Sequence, residues 1–364
     1  MLSKTLSIGL IASLIVAAGA GVAQNKKLFV YNFSDYFAED TIDNFVSQTG
    51  INTNLDYFDT NEMAEARLIT GGSGYDVAFI NSPGASRLIP AGALQKLDKS
   101  KLTYYANIDP AYLEMVAAFD PGNDYMIPYM VTTTGIAYNT KALEARMPDA
   151  PTESWDLLFK PEIAAKFADC GIGVTDAPTE VIPIVLNYLG LDPYSTAQED
   201  LDQAMALLAG LRPHIRHMNT AQLIDDMAVG EICLALMWNG DANIAAHRAV
   251  EAGLDFKVAY RLPIEGTLVS FDNMAIPADS ANVYEAHQFI NYLMEPQVIA
   301  DISNEVYYPN PNKAATPFVD EEMRLDPNLY PGEDMQKKLF TEKLLSQEDL
   351  QARTRAWTNF RVGQ

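Results

Sequence analysis

The sequence predicts an α/β protein of two lobes. Its 364 residues exceed one ordinary domain, and 48% of them are hydrophobic, enough for two sizeable cores. Apolar strand-like runs alternate with helical stretches every ~20–30 residues, as parallel βαβ units require. A polar β-branched run, Thr132-Thr133-Thr134, joins two extended stretches and suits a crossover between lobes.

The first residues stand outside that fold. Met1-Leu2-Ser3-Lys4 supplies one positive charge, an apolar small-residue run follows from Ile8 to Ala20, and Gly21-Val22-Ala23 offers small residues before Gln24. This is the pattern of a cleaved signal peptide over 1–23, with a run short for a bilayer span. It predicts export to the periplasm. Removing 1–23 costs only the charge of Lys4 and leaves a net charge of −24. So acidic a surface repels nucleic acid and anionic lipid and favours cationic partners. Cys170 and Cys233 are an even count in an exported chain, which favours a disulfide over two buried thiols.

Leu28-Phe29-Val30 reads as a buried strand. The helix that follows carries Ile42, Phe45 and Val46 on one face, with Asp40 as its N-cap and Gly50 as its stop. Between them lies an aromatic loop containing Phe33, Ser34, Asp35 and Tyr36. A carboxylate flanked by rings suits an organic cation, since the rings offer negative faces and the acid takes charge-assisted hydrogen bonds. Packing aromatics beside a solvated acid is the alternative. Asn54–Phe58 is a second strand, Asn61–Ile69 a helix closed by Gly71-Gly72, and Tyr75–Ile80 a third strand ending at Asn81-Ser82. The loops after the first and third strands therefore share a sheet edge, where ligands bind in open α/β sheets.

Met126–Val131 and Gly135–Asn139 are extended on either side of the threonines. Gly171–Val174 is a short strand, and Asp176 and Glu180 lie near the start of the apolar helix behind it, where the macrodipole favours a carboxylate. For Asp176, plain capping is the simpler role. Ile232–Met237 is an apolar strand running straight into Trp238-Asn239-Gly240-Asp241, which repeats the ring-and-acid chemistry of the first loop. Phe256–Tyr260 is a further strand. Leu268–Ile276 is extended yet carries Asp272 in its middle, a costly placement unless the acid is paired or belongs to a site. A helical stretch from Ala281 to Ile302 leads to Tyr307-Tyr308.

Taken together, Tyr31–Tyr36, Asp176–Val181, Trp238–Asp241 and Ser270–Asp272 stand in the order seen in periplasmic polyamine-binding proteins of bacterial ABC transporters. Lys313–Pro317 and Arg353–Trp357 fit as well, and the resemblance spans essentially all of the mature chain. It implies a Venus-flytrap fold of type II, with a ligand cleft between lobes. The expected division is 24–132 with 261–305 for the first lobe and 133–260 with 306–364 for the second. Carried over by position, it implies ligand contacts from Phe33, Ser34, Asp35, Tyr36, Asn81, Glu180, Trp238, Asp241, Ser270, Asp272 and Tyr308, and a disulfide between Cys170 and Cys233. It further implies a polyamine ligand, putrescine first and spermidine or another di- or triamine next, a permease as partner, a monomer, no nucleic acid and no cofactor. Three positions depart from the resemblance: Phe33 stands where Trp is common, Asn81 replaces Ser, and Ser270 replaces an aromatic. The chemistry agrees, because a linear diamine is two ammonium heads on an apolar stem and wants separated carboxylates with flat walls between them.

Other classes fit less well. No phosphate loop, GxSxG elbow or metal-spaced His pair supports an enzyme, and His214, His217, His247 and His287 are scattered. The adjacent Tyr307 and Tyr308 suggest a ferric-ion binder of the same broad fold, because phenolates are hard ligands. Several ring-and-acid loops argue against that, since a metal needs ligands rather than ring faces. A polyamine sensor signalling to a membrane receptor would share the cleft chemistry and differ only in its surface contacts.

Overall fold

The computed structural model describes residues 26–363 apart from Asp35, Asp59 and Thr60. The expected signal segment and Asp35 lie outside the described residues.

Strands β1 (Lys27–Phe33), β2 (Asn52–Phe58) and β3 (Val77–Asn81) are parallel, with helices Thr41–Thr49 and Asn61–Ile69 between them. Phe45 is the buried contact of the first helix, and Gly50 ends that helix at φ 69°, a conformation that favours glycine. Asp40 stands at the N-cap position, but its side chain caps no backbone amide: its carboxylate accepts from the Asn44 side-chain amide (2.8 Å).

β4 (Met126–Asn139) is the longest strand, buried along its whole length. The sequence suggested two extended stretches broken at the threonines. The chain instead runs straight through, as β-branched residues allow. β5 (Ile172–Val174), β6 (Ile215–His217), β7 (Leu234–Trp238), β8 (Val258–Arg261) and β9 (Val269–Ala275) complete the set. Among the described residues the strand order is β2-β1-β3-β9-β4-β7-β5-β6, with β8 also on β4.

The threonines mark a change of partner. Up to Thr133, β4 pairs antiparallel with β9; from Thr134 onward it pairs with β7 and then β8. One strand thus serves both lobes. Tyr260 fixes the handover by donating to the Thr133 carbonyl (2.9 Å), and Asn239 accepts from the Thr133 amide (3.3 Å). Gly135 is required there, because a Cβ would lie 2.5 Å from the Arg261 carbonyl and the Tyr260 ring. The strap from Leu339 to Phe340 also spans the seam, with Leu339 in the first lobe's core and Phe340 packed on the second lobe's core.

Other contacts place individual segments. Pro309 and Pro311 accept from Val131 and Asp109 (2.8 Å each), and Asn312 bridges Ile108, so residues 309–312 lie against the first lobe. Ile264 donates to Glu153, and Trp155 donates to the Gly266 carbonyl (3.1 Å), which keeps 264–266 with the second lobe. Fully buried Trp155, Phe167, Phe79 and Phe289 anchor the cores, each side chain contributing about 1.5–3 kcal/mol by burial. Asp176 is structural, though not as a cap: it accepts from the Trp357 indole (2.7 Å) and pairs with Arg361 (2.9 Å), tying down the C-terminal helix Gln347–Val362.

Cys170 and Cys233 are joined as a disulfide in the second lobe, with Cα atoms 5.6 Å apart. The bond closes a loop of 63 residues, worth about 4 kcal/mol in the chain-entropy model. Thiol titration of denatured, unreduced protein should find no free thiol. Reduction should lower the unfolding midpoint in denaturant, and an unchanged midpoint would show that the bond adds nothing.

Candidate functional site

The cleft is assembled from strand ends and helix starts on both sides of β4. Asp272 lies inside β9, opposite Asn81 of β3 and Met130 of β4. Its carboxylate accepts from the Tyr36 hydroxyl (2.8 Å). Tyr36 is held in turn by its own carbonyl, which accepts from the Tyr129 hydroxyl (2.6 Å). Burial pushes Asp272 up to about 6, with the Tyr36 hydrogen bond working against the rise.

Asp241 sits in the first turn of the helix Asn239–Glu251, where β7 ends. It accepts from the Tyr308 hydroxyl (2.8 Å). Burial pushes it, too, up to about 6; Tyr308 opposes the shift and the nearby Glu180 adds to it. Gly240 is needed beside it, since a Cβ there would stand 2.0 Å from the Tyr308 ring.

Glu180 lies in the first turn of the helix Pro178–Tyr188. One oxygen accepts from the Trp238 indole (2.8 Å) and the Thr134 hydroxyl (2.7 Å). Burial raises its carboxyl above the ordinary range despite those two donors, and Asp272 adds to the rise. Glu180 thus acts together with each of the other two acids. The rings connect them: Tyr36 meets Tyr308 edge to face at 5.8 Å, and Phe33 meets Tyr36 at 5.6 Å. Burial and the adjoining carboxylates raise both tyrosine hydroxyls, which stay protonated and act as donors.

The predicted residues thus fall into two groups. Phe33, Tyr36, Glu180, Trp238, Asp241, Asp272 and Tyr308 form one connected set. Asp35 lies outside the described residues, and the other three do not join the set. Ser34 is exposed. The Asn81 side chain caps the helix Ser82–Leu88 by accepting from Gly84 (2.9 Å). Ser270 lies in β9 opposite Thr132, half-buried. Tyr307 parts company with Tyr308 and stacks on His247 at 4.0 Å.

Two further residues touch this set that the sequence motifs do not mark. Thr134 reads in the sequence only as part of a crossover. Glu342 comes from a stretch with no ring-and-acid pattern, yet Glu180 and Asp272 both act on it and Thr179 and Arg87 favour its charge. Burial first, then Glu180, push Glu342 up to about 8. Nothing local in Thr341-Glu342-Lys343 signals this.

The arrangement is a set of carboxylates with too few cations, walled by rings. It provides no nucleophile activated by a base, and among the described residues no cluster of three or more His, Cys, Asp or Glu could hold a metal ion. No helix of the described residues is long and apolar enough to cross a membrane.

The bacterial extracellular solute-binding protein model matches residues 40–330. The chain is 45% identical to the putrescine-binding periplasmic protein PotF of Escherichia coli (strain K12), over 100% of this chain and 99% of the relative. It is 43% identical to the putrescine-binding periplasmic protein SpuD of Pseudomonas aeruginosa (strain UCBPP-PA14), over 96% of this chain and 95% of that one. Among solved structures, the spermidine/putrescine ABC transporter substrate-binding protein of Streptococcus pneumoniae superposes with a TM-score of 0.83 at 28% identity, covering 93% of this chain and 99% of that one. The two-lobed fold and the full-length likeness agree: the chain belongs to the bacterial extracellular solute-binding proteins, which capture ligands and do not transform them.

Proposed function

We propose that the protein captures a linear polyamine in the periplasm and delivers it to an ABC permease. The observation that carries this is the connected set Asp272–Tyr36–Tyr308–Asp241, with Glu180 beside both acids. Asp241, Asp272 and Glu180 hold one ammonium head. Asp35 takes the other, and Trp238, Phe33 and the two tyrosines cover the stem. The putrescine-binding relatives support a diamine as the reference ligand. Asp272 comes from the first lobe and Asp241 from the second, so the ligand draws the lobes together, and the protein acts as a single copy. The proposed lobes keep their sequence-derived halves, with two adjustments. The crossing into β9 falls after Gly266, and the last return to the second lobe falls beyond Asn312.

Calorimetry against putrescine, cadaverine, spermidine and norspermidine, with amino acids and ferric citrate as controls, tests the ligand. An ammonium buried without its carboxylate costs about 3–5 kcal/mol, so Asp241→Asn or Asp272→Asn should weaken binding by roughly 100-fold or more. Tight binding of a control with no amine bound below millimolar would sink the reading.

The pH dependence has a definite sign. Asp241 and Asp272 are pushed up to about 6 in the empty cleft, whereas an ammonium favours their charged forms. Binding therefore releases protons, and affinity should rise from pH 5 to pH 7 and then level off. Stability of the empty protein runs the other way. The raised carboxyls favour the folded state at low pH, and that contribution is lost as pH rises through about 6. Affinity independent of pH across this window would remove the buried acids from the site.

Export with cleavage after Ala23 belongs to the same proposal. Intact-mass measurement of exported protein should find Gln24 at the N-terminus, and retention of 1–23 would contradict it.

A further inference from the structure

Tyr307 is the half of the Tyr307-Tyr308 pair that the cleft leaves unexplained. It stands just past the helix Pro296–Val306 with φ 59°, a left-handed conformation usually given to glycine or asparagine at a helix end. Among the described residues only Asn123 and Tyr307 take a positive φ without being glycine, and asparagine tolerates that conformation far better than a bulky ring. Such strain persists only where the surroundings over-determine it. Here they do. The Tyr307 amide donates to the Ser303 carbonyl (2.9 Å), and its own carbonyl accepts from the Asn243 side chain (3.4 Å). Its ring stacks on His247, with centroids 4.0 Å apart and 23° between the planes. Asn243 and His247 are four residues apart in the helix Asn239–Glu251 and so share a face. The start of the same helix receives Tyr308, whose ring lies against Gly240 and whose hydroxyl donates to Asp241 (2.8 Å). Beyond the pair, Pro309 accepts from Val131 of β4 (2.8 Å), which fixes the chain as it leaves. The left-handed residue thus sends two consecutive rings to different places: Tyr307, half-buried, against exposed His247, and Tyr308, buried, against Asp241.

We propose that the Tyr307–His247 stack is a brace that holds Tyr308 against Asp241, so that Tyr307 and His247 are positioning residues for ligand capture although neither belongs to the connected set. The inference rests on the polyamine reading above and adds to it two residues that act through Tyr308. Tyr308 has two duties there, as donor to Asp241 and as cover for the ligand stem, and both depend on its ring being held in place by its neighbours. Without the stack, the left-handed turn loses a contact that offsets its strain, and Tyr308 samples positions away from Asp241. Ordering it then falls to the ligand, which lowers affinity.

The test is calorimetry with putrescine and spermidine on the mature wild-type protein and on His247→Ala, His247→Phe and Tyr307→Gly, read for the amine that wild type binds more tightly. His247→Ala should weaken binding by about threefold to tenfold, and His247→Phe, which keeps a flat ring on Tyr307, should return it to within about twofold of wild type. Tyr307→Gly removes the ring but suits the left-handed turn, so the thermal midpoint of the ligand-free protein should hold while affinity falls at least as far as in His247→Ala. That separates a lost brace from a lost fold. In a Tyr308→Ala background His247→Ala should cause no further loss, because its effect passes through Tyr308. Unchanged binding in His247→Ala and Tyr307→Gly, no rescue by phenylalanine, or full additivity with Tyr308→Ala would overturn the brace and leave the polyamine reading intact. If no amine binds wild type, both fall together.

Discussion

A carboxylate in the middle of a buried strand has to be answered, and much of the cleft can be read as the answer to Asp272. Strand β9 lies between β3 and β4, so Asp272 cannot turn away to bulk water as an edge residue would. Tyr36 donates to it, Tyr129 holds the Tyr36 backbone, and Tyr36 packs edge-on against Tyr308. Tyr308 then donates to Asp241, and Gly240 is bare so that the ring can lie there. Two acids on opposite lobes are thereby linked through two phenols. Each phenol remains a donor because burial and its own acid hold its proton on. An unpaired buried carboxylate is unfavourable by several kcal/mol, and one tyrosine hydrogen bond offsets only part of that.

The second constraint is mechanical. β4 belongs to both lobes, and its partners change between Thr133 and Thr134, next to the Thr134 hydroxyl that bonds Glu180. The change of partner thus falls at a residue whose side chain holds a cleft acid. The bulge between Pro128 and Met130 sits on the same strand, beside the register position of Asp272. Bulges bend a strand and increase its local twist. Under the proposed reading, ligand contact and lobe geometry are coupled by adjacency along one strand, without any long path through the cores.

Much of this was legible in the sequence because the chemistry repeats in short motifs. A ring and an acid at a strand end recur at Phe33–Tyr36 and Trp238–Asp241, and an acid inside an apolar run announces Asp272. Periodicity located the parallel strands of the first lobe and the helix Asn61–Ile69. What failed to show were features that depend on long-range pairing. The unbroken β4 was hidden because three threonines look equally like a linker and like strand residues. Asn81 reads as a ligand amide, and its side-chain oxygen also caps the helix that follows by accepting from Gly84. Asp40 takes the N-cap position, yet its carboxylate goes to the Asn44 side chain and not to the backbone. Glu342 was invisible, since only the pairing of Phe340 with Thr267 and Val269, more than 70 residues earlier in the chain, brings it to the seam.

The division of labour between acids and rings follows from these constraints. The chain's net charge of −23 draws cations toward the protein from a distance, but salt screens that attraction beyond ~8–10 Å, so it confers little selectivity. Selectivity has to come from groups that desolvation makes expensive. Asp241, Asp272 and Glu180 are all pushed up by burial, with Glu180 adding to the rise at Asp241 and Asp272 to the rise at Glu180. A ligand shifts an opening equilibrium only by its differential affinity for the two states. Under the proposed reading, that differential is large because the closed state is the one in which Asp272 and Asp241 are both dry and both within reach of an ammonium. The rings add the complementary condition. They cover a hydrocarbon stem but give a bare metal ion nothing to bind, so charge and shape must be satisfied by the same molecule before the closed state is favoured.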